Sequence, residues 1–87
     1  MLELYQAEGC PHCVKVRDAL TDLGISYVTH NPRLPGGEGG DVLNEQTYRE
    51  MTELGGQDRI PYLVDTAREE TLYESDDIVE YVEEHYG

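Results

Sequence analysis

An α/β domain with a four-stranded mixed sheet flanked by three helices, in the order βαβαββα, is the fold class this sequence predicts. Three observations point to it. A strand, a helix and a second strand fill roughly the first thirty residues, the length of a βαβ unit. Two short apolar runs at 60–65 and 71–74 are separated by a charged turn, as in an antiparallel hairpin. A last amphipathic stretch supplies a closing helix. With 87 residues there is room for one core, so 1–87 is read as a single domain.

The first strand is "LELYQ" at 2–6, where Leu2 and Leu4 alternate with polar positions. From Pro11 to Leu23 the apolar residues Val16, Ala19, Leu20 and Leu23 recur at helical spacing. Pro11 suits the first turn and Gly24 the stop. "ISYVTH" at 25–30 is β-branched and aromatic, and reads as a second strand parallel to the first. The segment 31–41, with two prolines and four glycines, reads as a mobile surface loop that shapes partner choice. It lacks the Gly-Lys-Ser/Thr ending of a phosphate cradle and contains Glu38, which argues against a nucleotide site.

Asp41 is expected to cap a second helix running to about Leu54, with Leu43, Thr47, Met51 and Leu54 as a weak apolar stripe and Gly55-Gly56 as its end. "IPYLVD" and "TLYE" then form the hairpin around "TAREE". Ser75 is expected to cap the last helix. Asp76 and Asp77 fall in its first turn, where the helix dipole favours carboxylates. Its apolar face is Ile78, Tyr81, Val82 and Tyr86, so helices are available for both faces of the sheet.

Six basic and 19 acidic side chains give a formal charge of −13, which excludes nucleic acid and anionic membrane as expected partners. The carboxylates are spread along the chain as in the proteins of salt-loving (halophilic) microbes, or as in any acidic soluble domain. The N-terminus has no basic region followed by an apolar run, and no stretch is long enough to span a bilayer. A cytoplasmic location is therefore expected, and there a close cysteine pair is more often reactive or metal-binding than a structural disulfide. A staple across two intervening residues would also constrain the unfolded chain little.

Both cysteines of the chain stand in Gly9-Cys10-Pro11-His12-Cys13. This places Cys10 at a helix N-terminus, where unpaired N–H groups and the helix dipole stabilise a thiolate, the form that attacks disulfides. Pro11 starts the helix and His12 adds a donor or a cation. Cys13, one turn further in and less exposed, is placed to attack a mixed disulfide at Cys10. A structural zinc would need two more ligands from His12, His30 and His85, which form no second close pair. No metal is therefore expected. Packing alone is a poor account of a Pro-His between two thiols at a strand-to-helix junction.

The run Gly9-Cys10-Pro11-His12-Cys13 opening a helix, Ile60-Pro61 before a hairpin strand, and Glu74-Ser75 before the last helix together resemble a dithiol glutaredoxin of the thioredoxin superfamily. The likeness covers essentially the whole chain and implies a thioredoxin-like fold. It implies a cis bond at Ile60-Pro61, beside the cysteines, whose backbone pairs with the cysteinyl part of a bound thiol. "LYESDDIVEYV" at 72–82 is similar to the segment with which glutaredoxins and the N-terminal domains of glutathione transferases hold a γ-glutamyl group. There Ser75 would take the carboxylate, and Glu74, or Asp76 and Asp77, the ammonium. The resemblance is imperfect at three points. His12 replaces the common tyrosine, giving the motif of strongly oxidising periplasmic thiol oxidases. Ala7, followed by Glu8, stands where many relatives carry a lysine. Arg59 stands where many carry threonine, and is expected to supply the missing cation.

The implied activity is reduction of protein disulfides, or of mixed disulfides with a low-molecular-weight γ-glutamyl thiol, with Cys10 as nucleophile and Cys13 as resolving thiol. Glutathione or a related γ-glutamyl thiol would be co-substrate, with no bound cofactor. Disulfide-bearing target proteins and a reductase are the expected partners of a monomer. The alternative is a non-catalytic module of the same fold that holds a small thiol, or an iron–sulfur cluster between subunits.

Overall fold

In the computed structural model, which describes all 87 residues, the alternation of "LELY" becomes strand β1 (Leu2–Tyr5). It lies inside a four-stranded sheet of order β2-β1-β3-β4. Strand β2 (Tyr27–His30) runs parallel to it, with Leu2 opposite Tyr27 and Tyr5 opposite His30. On its other side β3 (Tyr62–Asp65) is antiparallel, pairing Tyr5 with Tyr62 and Leu2 with Asp65. The edge strand β4 (Glu70–Leu72) pairs back on β3, so the expected hairpin forms. Three helices, α1 (Pro11–Asp22), α2 (Glu45–Gly55) and α3 (Ser75–Tyr86), complete the thioredoxin-like fold that the sequence predicts.

Because side chains alternate across a strand, β1 serves two cores. Leu2 and Leu4 point with Leu63 toward α1 and α3, packing on Val16, Leu20, Ile78 and Val82. Tyr5 and Tyr62 point to the opposite face, against Met51 of α2. Burying each such aliphatic side chain contributes about 2 kcal/mol, so the larger cluster is the main support of the domain.

The hairpin strands differ from expectation at their ends. Strand β3 begins at Tyr62 rather than Ile60, since Pro61 has no N–H for the ladder. Strand β4 stops at Leu72, because the Tyr73 hydroxyl is turned to Gln57 and Glu74 leads into α3.

Two helix starts also differ. Asn44, not Asp41, caps α2: its Oδ1 accepts the Thr47 N–H at 3.0 Å. Asp41 is occupied earlier, its carbonyl accepting the Leu34 N–H at 2.9 Å while Val42 bridges to Arg33. With this later start the inward residues are Tyr48 and Met51, and Leu43 and Leu54 are exposed. In α3 the cap position belongs to Glu74, which makes no side-chain capping bond, and Ser75 is the first helical residue.

The 31–41 segment is tied at several points. The Gly36 N–H donates to the Glu8 carbonyl at 2.9 Å, Gly40 N–H to Leu34 at 2.7 Å, and Leu43 N–H to Pro32 at 2.8 Å. A buried carboxylate, not foreseen from sequence, anchors α3 to the sheet. Asp65 at the end of β3 accepts the hydroxyls of Tyr81 and Tyr86 at 2.8 and 2.7 Å.

Candidate active site

Cys10 occupies the N-cap of α1 with extended backbone, φ −85° and ψ 115°. Pro11 takes the first helical position, where its missing N–H costs nothing. The Cys10 sulfur accepts the Cys13 N–H at 3.4 Å, one of the orphan donors of the first turn. The observed donor to this sulfur is thus backbone; the His12 ring, expected to help, makes no hydrogen bond to it. Cys10 and Cys13 are both free thiols, and both are buried. Burial pushes the Cys13 thiol up to about 12, with the adjacent Cys10 sulfur, to which it is hydrogen bonded, adding to the effect. Cys13 therefore holds its proton until something draws it off.

The sheet explains what gathers around Cys10. Strand β1 ends at Tyr5 and the chain enters α1 five residues later, while antiparallel β3 begins opposite Tyr5 at Tyr62. Pro61 is consequently delivered to the N-terminal end of α1. The Ile60-Pro61 peptide is cis, as the resemblance implies. Helix α3 packs on α1, and its own N-terminus reaches the same cleft. That cleft has a volume of about 490 Å³. It brings Cys10 and His12 together with Arg59, Ile60 and Pro61, and with Glu74, Ser75 and Asp76. Pro11 and Cys13 do not line it.

Charges in the cleft are mostly paired. Arg59 forms an ion pair with Glu74, and Lys15 one with Asp76. The Lys15 ammonium, by hydrogen bond and charge, holds the Asp76 carboxyl below its ordinary value. So Glu74 and Asp76, two of the three carboxylates assigned to a ligand ammonium, already face protein cations in the free domain, and the third, Asp77, lies outside this cleft. Arg33 donates to both oxygens of Asp58 at 2.7 Å and to the Gly40 carbonyl at 2.9 Å.

Lys15, Arg33, Glu38, Asp58 and Tyr73 also line the cleft and were not foreseen. Arg33 and Glu38 come from the tied loop, whose path no local pattern reveals. Lys15 is the one signal that was available, as the single lysine of the chain two residues after Cys13. Tyr73 stacks on Tyr62 with ring centroids 4.4 Å apart, and its hydroxyl both accepts from and donates to the Gln57 backbone.

Ala7 is fully buried, so its side chain adds no charge at the site. Glu8 is turned away from the cleft to Arg17, at 2.6 Å, and Arg17 also reaches the buried Gln6. The acidic residue just before the cysteines is thereby neutralised rather than aimed at them. No three His, Cys, Asp or Glu side chains are grouped to hold a metal ion, and no helix is long and apolar enough to cross a membrane.

Residues 4–87 match the family described as "Glutathione S-transferase, N-terminal domain". No curated protein matches the sequence. Among solved structures, the chain is similar to a delta-class glutathione transferase of Nilaparvata lugens, at 24% identity and a TM-score of 0.77, covering 100% of this chain and 37% of that one. It is likewise similar to a glutathione S-transferase of the Antarctic clam Laternula elliptica, at 24% identity and TM-score 0.73, covering 98% and 35%. A third is a glutathione transferase of Phanerochaete chrysosporium in complex with oxidized glutathione, at 27% identity and TM-score 0.70, covering 98% and 36%. The chain thus spans only 35–37% of the length of these three proteins.

Proposed function

Since the chain belongs to the family of glutathione S-transferase N-terminal domains, we propose that it is a γ-glutamyl-thiol-binding domain whose own cysteine pair performs glutaredoxin-like thiol–disulfide exchange. The observation that carries this reading is the Cys10 sulfur, hydrogen bonded to the Cys13 N–H at a helix N-terminus that opens into a cleft lined by Pro61 and Ser75. The Cys10 thiolate attacks one sulfur of a disulfide, forming a Cys10–substrate disulfide and expelling one thiolate. Cys13 then attacks the Cys10 sulfur, its proton passing to the departing thiolate, and the pair is left oxidised while two electrons reach the substrate. A small γ-glutamyl thiol or a reductase returns the pair to the dithiol.

For the thiol itself, Ser75 and the first N–H groups of α3 suit a carboxylate, and Glu74 an ammonium. The Arg59–Glu74 pair opens to admit it, each partner exchanging a protein contact for one to the ligand. Arg59 then faces the second carboxylate of a peptide thiol. These assignments of Arg59, Ile60, Pro61, Glu74, Ser75 and Asp76 rest on their shared cleft with Cys10.

The test is turnover of mixed disulfides of glutathione and of γ-glutamylcysteine by wild type, Cys10→Ser and Cys13→Ser. Complete loss in Cys10→Ser is expected. Cys13→Ser is expected to keep reduction of the small mixed disulfides and lose reduction of protein disulfides. Activity that survives in Cys10→Ser would sink the mechanism. A second reading, conjugation of the thiol to an electrophile, is favoured by the family match and by the transferases the fold resembles. Conjugation of glutathione to a chlorodinitrobenzene, unaffected by Cys10→Ser, would select it.

A further inference from the structure

We propose that Glu38 makes the cleft selective for disulfides that carry a cationic group close to the sulfur; this specifies the substrate of the thiol–disulfide exchange above and rests on that reading. Three cations and four carboxylates line the cleft. Six of these seven are joined in the pairs Lys15–Asp76, Arg33–Asp58 and Arg59–Glu74. Glu38 alone has no ion-pair partner. With histidine counted neutral, three positive against four negative charges leave one negative charge, and it belongs to Glu38.

Its backbone is fixed on both sides. The Gly39 N–H donates to the Gly36 carbonyl at 3.2 Å, closing a turn with Glu38 as its third residue. Gly36 is fastened to Glu8, and Gly40 accepts from Arg33. Glu38, though exposed, therefore lines the same cleft as Cys10 from a backbone position set by these bonds. An incoming disulfide with an ammonium or guanidinium beside its sulfur neutralises this carboxylate, while one with a carboxylate there is repelled by it. Peptide disulfides with lysine or arginine flanking the cysteine fit this requirement. The net charge of −13 favours the same substrates at longer range. The chemical step is unchanged: Cys10 forms a bond to the near sulfur, the far sulfur leaves as thiolate, and the substrate is the oxidant.

The experiment compares kcat/KM for cystamine, bis-hydroxyethyl disulfide and dithiodiglycolate, which are cationic, neutral and anionic, in wild type and Glu38→Gln. Glu38 is exposed, so the substitution leaves the core untouched. At low ionic strength the cation-to-anion ratio is expected to be about threefold to tenfold higher in wild type than in the variant. The difference should vanish in roughly 1 M salt, where the screening length is ~3 Å. Equal ratios in the two proteins overturn the proposal. Failure of the exchange reading itself has a different signature, namely no turnover of any of the three disulfides. Modification of Cys10 by cationic and anionic methanethiosulfonates in Cys13→Ser, with and without Glu38→Gln, then tests the role of Glu38 directly. A cation preference lowered by the substitution upholds it, and an unchanged one overturns it.

Discussion

The Gly36 N–H donates to the carbonyl of Glu8, two residues before Cys10. By this bond the glycine-rich loop becomes part of the wall of the cleft, and its conformation is coupled to the segment that sets the nucleophile. Gly39, in the same loop, has φ +85°, and a β-carbon there would meet the Arg33 side chain at 2.7 Å and Ile60 at 3.1 Å. Gly39→Ala is therefore expected to lower stability by about 1–2 kcal/mol. It should also displace Arg33 from Asp58 and raise KM for disulfide substrates. Chemical denaturation and steady-state kinetics check both parts, and an unchanged KM would dissociate the loop from the site.

The Cys13 thiol, held up to about 12 by burial, should be inert toward iodoacetamide near neutral pH in the native domain. Alkylation followed by peptide mass spectrometry is expected to find label on Cys10, and on Cys13 only after unfolding. Because the folded domain keeps this proton more tightly than the unfolded chain, the associated stability is full below the free thiol value of ~8.5. It is lost as pH rises from there toward about 12.

Asp65 carries a pH dependence of opposite sense. Burial by itself raises its carboxyl, but the Tyr86 and Tyr81 hydroxyls and the backbone N–H groups of Arg68 and Ala67 together bring it below the ordinary value. Its contribution is present above about pH 4, the unfolded value, and disappears as pH falls through the lower folded one. Asp65→Ala leaves two tyrosine hydroxyls unpaired and should cost about 3 kcal/mol. In Asp65→Asn the thermal midpoint should fall less steeply between neutral and acidic pH than in wild type. Parallel curves for the two proteins would contradict the ionised assignment.

Tyr73 ties the end of α2 to the cleft through its two bonds to Gln57, at 3.0 and 2.9 Å. Tyr73→Phe is expected to cost about 1 kcal/mol, the net worth of hydrogen bonds partly open to water. Gly55→Ala should cost more, about 1–3 kcal/mol, because its β-carbon would fall on the Tyr73 hydroxyl and drive the ring off Tyr62. Both changes should raise KM, since Tyr73 directly precedes Glu74 and Ser75 in the lining; urea titration and kinetics read the two effects.

The sequence by itself determined the βαβαββα order, the supply of helices for both faces of the sheet and the position of the cysteine pair. These depend on local signals: alternation in "LELY", helical spacing of Val16 and Leu20, and Pro11 after Cys10 at a strand-to-helix junction. The hairpin and the closing helix were legible for the same reason. Helix starts were less so, because Asp41, Asn44 and Ser75 are all acceptable caps while the cap position of α3 went to Glu74, and the choice follows from longer-range bonds. Asp41 is taken by the Leu34 N–H, and the Glu74 carboxylate by Arg59.

Only the tertiary structure decided which charged and polar groups meet. Arg33 with Asp58, Lys15 with Asp76 and Tyr81 with Asp65 are separated by 25, 61 and 16 residues. No periodicity in a chain carries information about such pairs. Glu38, one of 19 acidic residues in the sequence, acquires its distinction from the folded state alone: every other carboxylate in the cleft has found a cation, and it has not. Coulomb energy depends on distance through space, and that distance exists only once the sheet has brought the loop, the hairpin and two helix ends to one place.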